Sequence, residues 1–412
     1  MDSLEQYLEK YAEVAVKVGV NIQPVQTLLI RSDIEVAPFV RKVVKVAYEQ
    51  GAKHVYVDWS DTEVTKLKFK LAPEEAFAEF PEWLANKMND LVEENAAFMS
   101  IVSNDPDALR GVDTNRIATQ QKVAGEALKK YYDYIQADKV SWTVIAAASK
   151  GWADKVFPDK PESERVNLLW DEIFRACRIY EEDPVQAWKE HDEKLRKLAD
   201  YLTEKQYTAL HYRAPGTDLT IGLPKNHLWV GGGSVNVRGT SFMANIPTEE
   251  VFTAPDRNRV NGYVTSTKPL SYGGNIIDNF TVTFENGRIV DIQAEKGADI
   301  LQKLIESDEG ARYLGEVALV PHNSPISRSN VLFLNTLFDE NASNHIAIGS
   351  AYAFNLKGGK EMDRDELLEH GINNSIVHVD FMIGSAEMDI DGITADGKKE
   401  PVFRNGNWAL TL

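Results

Sequence analysis

The chain has 412 residues, more than one simple hydrophobic core usually serves, so two domains are expected. Its 63 acidic and 45 basic side chains leave a formal net charge of −18, which argues against nucleic acid and against an anionic membrane surface as partners. The single cysteine excludes an internal disulfide framework. The N-terminus lacks the basic start and apolar run of a signal peptide, and no stretch reaches the length of a transmembrane helix. The sequence therefore predicts a cytoplasmic enzyme or binding protein.

The first half of the chain alternates between helices and short buried strands. An amphipathic helix opens the chain, with Leu4, Leu8 and Tyr11 on one stripe. Strands are then predicted in "QTLLIRS", "HVYVDWSD", "AFMSIVS" and "SWTVIAAAS", each followed by a helical stretch. This alternation is typical of a mostly parallel sheet covered on both faces, so residues 1–195 are predicted to form an α/β scaffold domain. No Gly-rich phosphate loop joins these elements, which makes a nucleotide-dependent function the least favoured interpretation.

The second half of the chain has a different sequence pattern. A helical stretch, "DPVQAWKEHDEKLRKLADYLTEKQ", leads into short alternating runs separated by Gly and Asn turns. In one of them, "FTVTFENGRIVDIQAE", the "ENGR" segment between two alternating strands is a strong hairpin signal. Residues 196–412 are therefore predicted to form a mixed α+β domain, and the metal-binding residue types collect in it.

One apolar stretch, "NSIVHVDFMIG" at residues 374–384, carries two polar side chains. Strand side chains alternate between faces, so His378 and Asp380 point the same way, roughly 7 Å apart along the strand. Burying both side chains without partners would cost free energy. Either they form a structural polar pair or they hold a ligand.

Three further stretches carry residues of the same types. Glu249 and Glu250 lie in "NIPTEEVFTAP", Glu316 lies in "LGEVALVP", and Glu340 and His345 lie in "LFDENASNHIAIGSAY". Taken singly, a glutamate at a strand edge usually faces water. Together with the fourth stretch they offer two imidazoles and up to four carboxylates, a ligand set suited to a pair of divalent transition-metal ions. Two cations would also cancel the mutual repulsion of the carboxylates.

In this order and spacing, the four stretches resemble the aminopeptidase T and aminopeptidase S (PepS) family of metallo-aminopeptidases, over essentially the whole chain. The resemblance implies a cytoplasmic homodimer with a co-catalytic site for two divalent metal ions, usually zinc, with cobalt or manganese able to serve. By motif position it implies these metal ligands: Glu250, Glu316, Glu340, His345, His378 and Asp380. Glu249 is left out because its position in the motif is variable. Tyr352, in "GSAY", is implied as a helper of the transition state.

The reaction that the resemblance implies is hydrolysis of the first peptide bond in peptides with a free N-terminus, by a water molecule that two metal ions activate. Glu316 or Asp380 would bridge the ions. Glu340 or Glu316 would take the proton of the water, which makes Glu316 a candidate catalytic residue as well as a ligand. Tyr352 would donate a hydrogen bond to the tetrahedral oxyanion.

The spacing of His345 and Tyr352 adds a structural condition. Seven residues separate them, so in an uninterrupted strand their side chains would face opposite sides. Both reach one cavity only if the chain bends, for which Gly349 is the natural place, or if the segment is helical.

Two other interpretations stay open. A metal-dependent amidohydrolase acting on a non-peptide amide would use the same ligands with a different pocket lining. A non-enzymatic binding or assembly protein would use His378 and Asp380 structurally and contain no metal. Cys177 lies in the helical pattern "LLWDEIFRACRIY" and is interpreted as a packing residue rather than a nucleophile.

Overall fold

The chain forms two compact units. The computed structural model describes residues 3–103, 105–272 and 275–410. The first unit comprises Met1–Glu190 and Gly233–Pro247, and the second comprises His191–Gly232 and Thr248–Leu412. The functional division into residues 1–195 and 196–412 stays a prediction.

A four-stranded parallel sheet forms the centre of the first unit. Its strand order is β2-β1-β3-β4, and the strands are β1 (Thr27–Asp33), β2 (His54–Ser60), β3 (Ala97–Val102) and β4 (Trp142–Ala146). The inner strands β1 and β3 are mostly buried, as expected for strands covered on both faces. The predicted parallel sheet is confirmed.

Helices connect these strands and lead to the second half. Their bounds are α1 (Leu4–Val14), α2 (Ala37–Glu49), α3 (Thr62–Leu71), α4 (Glu75–Ala78), α5 (Glu82–Glu93), α6 (Thr114–Ala127), α7 (Lys129–Gln136), α8 (Lys150–Val156), α9 (Glu162–Ala176) and α10 (Pro184–Lys205). Cys177 directly follows α9, where it is fully buried with its Sγ 3.8 Å from Tyr11 Oη. This environment agrees with the predicted packing role. No helix in the described part of the chain is both long and apolar enough to span a membrane.

The later strands are short and numerous. In chain order they are β5 (Ala209–Ala214), β6 (Thr217–Gly222), β7 (Val230–Gly231), β8 (Ser234–Val235), β9 (Ser241–Phe242), β10 (Val251–Thr253), β11 (Val260–Thr265), β12 (Leu270–Tyr272), β13 (Asn275–Glu285), β14 (Arg288–Lys296), β15 (Leu314–Leu319), β16 (His345–Gly349), β17 (His378–Met382), β18 (Asp389–Ile393), β19 (Lys399–Arg404) and β20 (Asn407–Trp408). The helices among them are α11 (Ala298–Ile305), α12 (Pro325–Ser329), α13 (Thr336–Asp339) and α14 (Arg364–Glu369).

Two antiparallel sheets organise the second unit, as the predicted mixed domain requires. The larger has the order β12-β13-β11-β6-β5-β18-β19-β20, with β14 beside β13. The smaller has the order β17-β16-β15-β10-β7, and its strands β15 and β16 are buried at every position. A strand buried on both faces needs a near-continuous apolar sequence, so a glutamate and a histidine in β15 and β16 are exceptions that call for partners.

The predicted hairpin at "ENGR" is confirmed. Glu285 and Arg288 pair at the ends of β13 and β14, and the two residues between them, Asn286 and Gly287, have φ angles of 50° and 86°. Asn and Gly accept positive φ most readily, which is why this dipeptide favours a two-residue hairpin turn.

Candidate metal centre

Cross-strand register places four of the predicted residues on one face of the five-stranded sheet. Glu316 in β15 lies opposite Ala347 in β16, and Ala347 lies opposite Asp380 in β17. Directly opposed residues of antiparallel strands point to the same side, so the two carboxylates flank the Ala347 methyl group. His345 and His378 precede Ala347 and Asp380 by two residues and therefore face the same way. The small side chain of Ala347 leaves room between the larger ones.

One group of three potential ligands contains Glu250, which lies just before β10. The Nε2 atom of His345 is 3.3 Å from Glu250 Oε2 and 3.5 Å from Glu316 Oε1. The ligand atoms of this group lie within 4.8 Å of one another. His345 is 1% exposed, so its ring is shielded from water where it meets the carboxylates.

A second group of three consists of Glu316, His378 and Asp380. The Nε2 atom of His378 is 3.6 Å from Glu316 Oε2 and 3.4 Å from Asp380 Oδ1. Glu316 therefore belongs to both groups: its Oε1 faces one imidazole and its Oε2 faces the other. A carboxylate in this arrangement can share its two oxygens between two cations.

The backbone fixes which nitrogen of each histidine faces the carboxylates. The Nδ1 atom of His345 lies 3.1 Å from the Ser343 carbonyl oxygen, and the Nδ1 atom of His378 lies 2.7 Å from the Ser350 carbonyl oxygen. A carbonyl accepts only from a protonated nitrogen, so Nδ1–H donates and Nε2 is directed into the site. Metal-binding histidines are usually oriented by such hydrogen bonds.

Burial and like charges perturb the pKa values of the cluster. Burial raises the pKa of Glu316 to about 7, although His345 opposes the shift. Burial, together with Glu250 and Asp380, raises the pKa of Glu340 well above its ordinary range. Burial would also raise the pKa of Asp380, but the neighbouring histidines outweigh it and lower that pKa.

The pKa values of the two histidines shift in the direction opposite to the one that burial alone would produce. Burial disfavours the imidazolium, yet Asp380 and Glu316 raise the pKa of His378 to about 9. Glu250 and Glu316 likewise raise the pKa of His345 well above 6.5. Protons thus occupy the centre when no cation does, because the carboxylates need positive charge beside them.

Glu340 lies at the edge of the centre. It begins a 3-10 turn, Glu340–Ala342, directly after α13, and it belongs to neither group of three. It is half-buried and close enough to Glu250 and Asp380 for their charges, after burial, to raise its pKa, and it lines one cavity together with His378 and Asp380. This position suits either a sixth ligand or an acid–base group.

Tyr352 reaches the same centre because the chain bends where the sequence suggests. Strand β16 ends at Gly349, whose φ of 109° excludes most other residues, and a Cβ there would lie 2.1 Å from the Val377 carbonyl oxygen. The Tyr352 ring is 5.3 Å from the His378 ring, centroid to centroid, and stacks on Phe354 at 5.1 Å. Tyr352 is 43% exposed, and its partial burial together with the nearby Glu316 raises its pKa above the ordinary value, so the phenol is protonated at neutral pH.

Sequence reasoning missed Asn341, which ties two parts of the centre together. Its fully buried side chain accepts a hydrogen bond from the Glu249 backbone N–H at 2.7 Å and donates one to the Leu337 carbonyl at 3.1 Å. Asn341 thereby links the residues beside Glu250 to the turn of Glu340. The available signal was an amide inside the motif "FDENAS", which periodicity alone does not distinguish from a surface asparagine.

The donor set fits a divalent cation. It combines imidazole nitrogens with carboxylate oxygens, the ligands that zinc, manganese and cobalt accept in proteins. The buried Asp380 Oδ1 has no hydrogen-bond partner among the described residues, which is costly for a carboxylate unless a cation neutralises it.

A family model described as "Thermophilic metalloprotease (M29)" matches residues 4–408. The chain belongs to this M29 metalloprotease family. The predicted family is therefore confirmed, and so is the requirement for a divalent metal, which the two groups around Glu316 are able to hold.

Relatives of this M29 protein are named aminopeptidases. Aminopeptidase AmpS of Bacillus subtilis (strain 168) is 64% identical over 410 residues, and Aminopeptidase 2 of Geobacillus stearothermophilus is 53% identical over 412 residues. Both alignments cover 100% of each chain. The solved structure of wild-type AmpT from Thermus thermophilus matches with a TM-score of 0.93 and 41% identity, covering 99% of this chain and 100% of that one. The predicted mixed α/β fold and the predicted enzyme class, a metallo-aminopeptidase, are confirmed.

Metal binding to the metal-free M29 protein should release protons. With a pKa of about 9, His378 is protonated at pH 7.5, whereas a ligating imidazole must be neutral. Calorimetric titration of zinc in buffers of different ionisation enthalpy should give heats that vary with the buffer, and the apparent affinity should rise from pH 6 to pH 9. Heats that are independent of the buffer would contradict this expectation.

Proposed function

We propose that this chain is an aminopeptidase that removes the first residue from peptides with a free N-terminus, using two divalent metal ions. The position of Glu316 is the observation that carries the proposal. Its two oxygens face two separate imidazoles, an arrangement that supports two cations side by side rather than one.

The chain's residues divide into two sets around Glu316. Glu250 and His345 would hold one ion with Glu316, and His378 and Asp380 would hold the other with it. We therefore assign the bridging role to Glu316 rather than to Asp380, because Asp380 belongs to one group only. Bound ions would lower the pKa of a water molecule and polarise the scissile carbonyl.

Glu340 is the better candidate for the proton acceptor. Both oxygens of Glu316 already face imidazoles, whereas Glu340 lies half-buried beside the centre and belongs to neither group. Because its carboxylate would hold neither ion, it can take a proton from water and return it to the leaving amine.

Tyr352 would stabilise the transition state. Its phenol is protonated at neutral pH, as an ordinary tyrosine is, and its ring lies beside His378. A neutral phenol can donate a hydrogen bond to the oxyanion that forms when the carbonyl carbon is attacked.

Recognition of the free N-terminus follows from charge. A carboxylate that holds no ion can pair with the ammonium group of the substrate, and Glu340, which belongs to neither group of three, lines the cavity that adjoins the centre. An acetyl group removes this positive charge and adds bulk at the same point.

The decisive experiment compares an unblocked aminoacyl-p-nitroanilide with its N-acetylated form. The unblocked substrate should be hydrolysed at least about a hundredfold faster, because a charge-assisted contact is lost in the blocked one. Equal rates would favour a metal-dependent amidohydrolase of non-peptide amides. No hydrolysis of either, with no metal in the protein, would favour a binding protein.

The metal, the assembly and the compartment are proposed from the family resemblance. We assign zinc as the native metal, with cobalt or manganese as replacements, and a cytoplasmic homodimer as the working form. Elemental analysis of protein purified without added metal tests the first assignment. Light scattering tests the second, since a homodimer has twice the mass of one chain.

A further inference from the structure

A cavity of about 340 Å³ adjoins the candidate metal centre within the second unit. Glu340, His378 and Asp380 form one side of it. Ligand pockets in proteins span about 300–1,000 Å³, so this one suits a single large side chain rather than an extended ligand. It lies beside the residues that are proposed to react.

Lys268, Ser271, Asn335 and Thr336 contribute polar groups to the cavity wall, but most of the wall beyond the candidate ligands is formed by apolar side chains. They come from the strand region around β12 and β13, from the loop before α13 and from β17, and they are Leu270, Tyr272, Ile276, Leu332, Leu334 and Met382. The carboxylate of Asp339 also lines the cavity, but backbone N–H groups already engage it. The chemistry of this wall matches an apolar group.

Leu334 is held in the cavity wall by a strained backbone. Its φ is 56°, in the left-handed region that a leucine rarely adopts. Asp339 maintains this conformation, because its Oδ1 accepts from the Phe333 N–H at 2.8 Å and its Oδ2 from the Asn335 N–H at 3.0 Å. Strain of this kind persists where the surroundings over-determine it, and it clusters at ligand sites.

We propose that this cavity receives the side chain of the substrate's first residue, that it prefers a large apolar side chain, and that Leu334 determines the fit. The inference rests on the proposed aminopeptidase function. If Glu340 attracts the α-ammonium group, the α-carbon of the first residue lies at the cavity mouth. The side chain on that carbon then enters the cavity, while the second residue lies beyond the scissile bond.

The test measures kcat/KM for tripeptides that differ at one position. Leu-Ala-Ala and Phe-Ala-Ala should be cleaved at least about tenfold faster than Ala-Ala-Ala, because a filled apolar pocket discriminates by this order per missing group. Ala-Leu-Ala should be cleaved at its first bond as fast as Ala-Ala-Ala. Equal rates for alanine and leucine at the first position would overturn the inference.

Two variants of Leu334 should shift the preference in opposite directions. Leu334→Phe reduces the space and should lower the Leu-Ala-Ala to Ala-Ala-Ala ratio about tenfold, whereas Leu334→Gly enlarges it and should raise the Phe-Ala-Ala to Leu-Ala-Ala ratio several-fold. Glycine accepts positive φ, so the second variant should fold even if the first does not. A role in folding alone would lower all rates together and leave these ratios unchanged, which would overturn the inference.

The control is Leu71→Phe, the same change at a leucine that is 76% exposed on α3. It should leave every ratio unchanged. If no unblocked tripeptide is hydrolysed, the proposed function fails and this inference fails with it. If hydrolysis occurs without size preference, or if the Leu334 variants change selection at the second residue instead, this inference alone fails.

Discussion

Replacing Glu316 with glutamine is expected to lower kcat/KM by at least about a thousandfold, the range seen when a residue central to catalysis is removed. Glutamine keeps the shape of the side chain but removes its negative charge and one of its two acceptor oxygens. Because Glu316 belongs to both groups of ligands, a single substitution should weaken both cation positions.

Metal content separates this effect from that of its neighbours. Elemental analysis should find little metal in Glu316→Gln. The His378→Ala substitution removes a proposed ligand from one group only, so this variant should retain part of its metal. The matched control is Glu369→Gln, at an exposed glutamate that ends α14, and it should keep full activity and metal. Full activity and full metal content in Glu316→Gln would contradict the shared-ligand assignment.

Removal of the metal should abolish activity and lower the melting temperature by an amount that grows with pH. A ligand that binds only the native state at 100 times its Kd stabilises it by about 2.7 kcal/mol. In the metal-free protein the pKa of Glu316 is raised from 4.5 to about 7, so its contribution to stability is full below pH 4.5 and lost as pH rises through 7. The pKa of His378 is raised from 6.5 to about 9, so its stabilising imidazolium is lost as pH rises through 9.

Both contributions therefore decrease between pH 6 and pH 9 in the metal-free state, while bound metal would keep the ligands deprotonated throughout. Thermal unfolding of dialysed and zinc-loaded protein should show melting temperatures that diverge across this interval, and adding zinc back should restore the higher value. Melting temperatures that coincide at every pH would mean that no cation binds in this cluster.

Local patterns were sufficient for much of the fold. The alternation of strands and helices predicted the parallel sheet, "ENGR" predicted the β13–β14 hairpin, and the two-residue period predicted that His378 and Asp380 share a face. Each of these depends on residues close together in the sequence, where geometry is fixed by backbone periodicity.

The assembly of the site could not be predicted from local sequence patterns. Strands β15 and β16 are buried on both faces, so their sequences show no alternation from which a register could be inferred. That Glu316 lies opposite Ala347 depends on pairing between segments about 30 residues apart, and the family resemblance supplied the grouping. The backbone strain at Leu334 has no sequence signal, and the amide of Asn341 in "FDENAS" cannot be told from a surface asparagine by periodicity alone.

The strand register at Ala347 sets the spacing of the proposed metal ligands, whereas other residues would set the substrate preference. The two properties can therefore change independently. The ligand positions are spaced by hydrogen-bonded strands, whose separation of about 4.8 Å is the same in any sheet. Part of the wall that would select the substrate, formed by Leu332 and Leu334, comes from the loop before α13 instead. Substitutions in that loop would change which peptides are accepted while the spacing of the metal ligands stays fixed. Related enzymes could therefore differ in substrate preference and keep the same reaction.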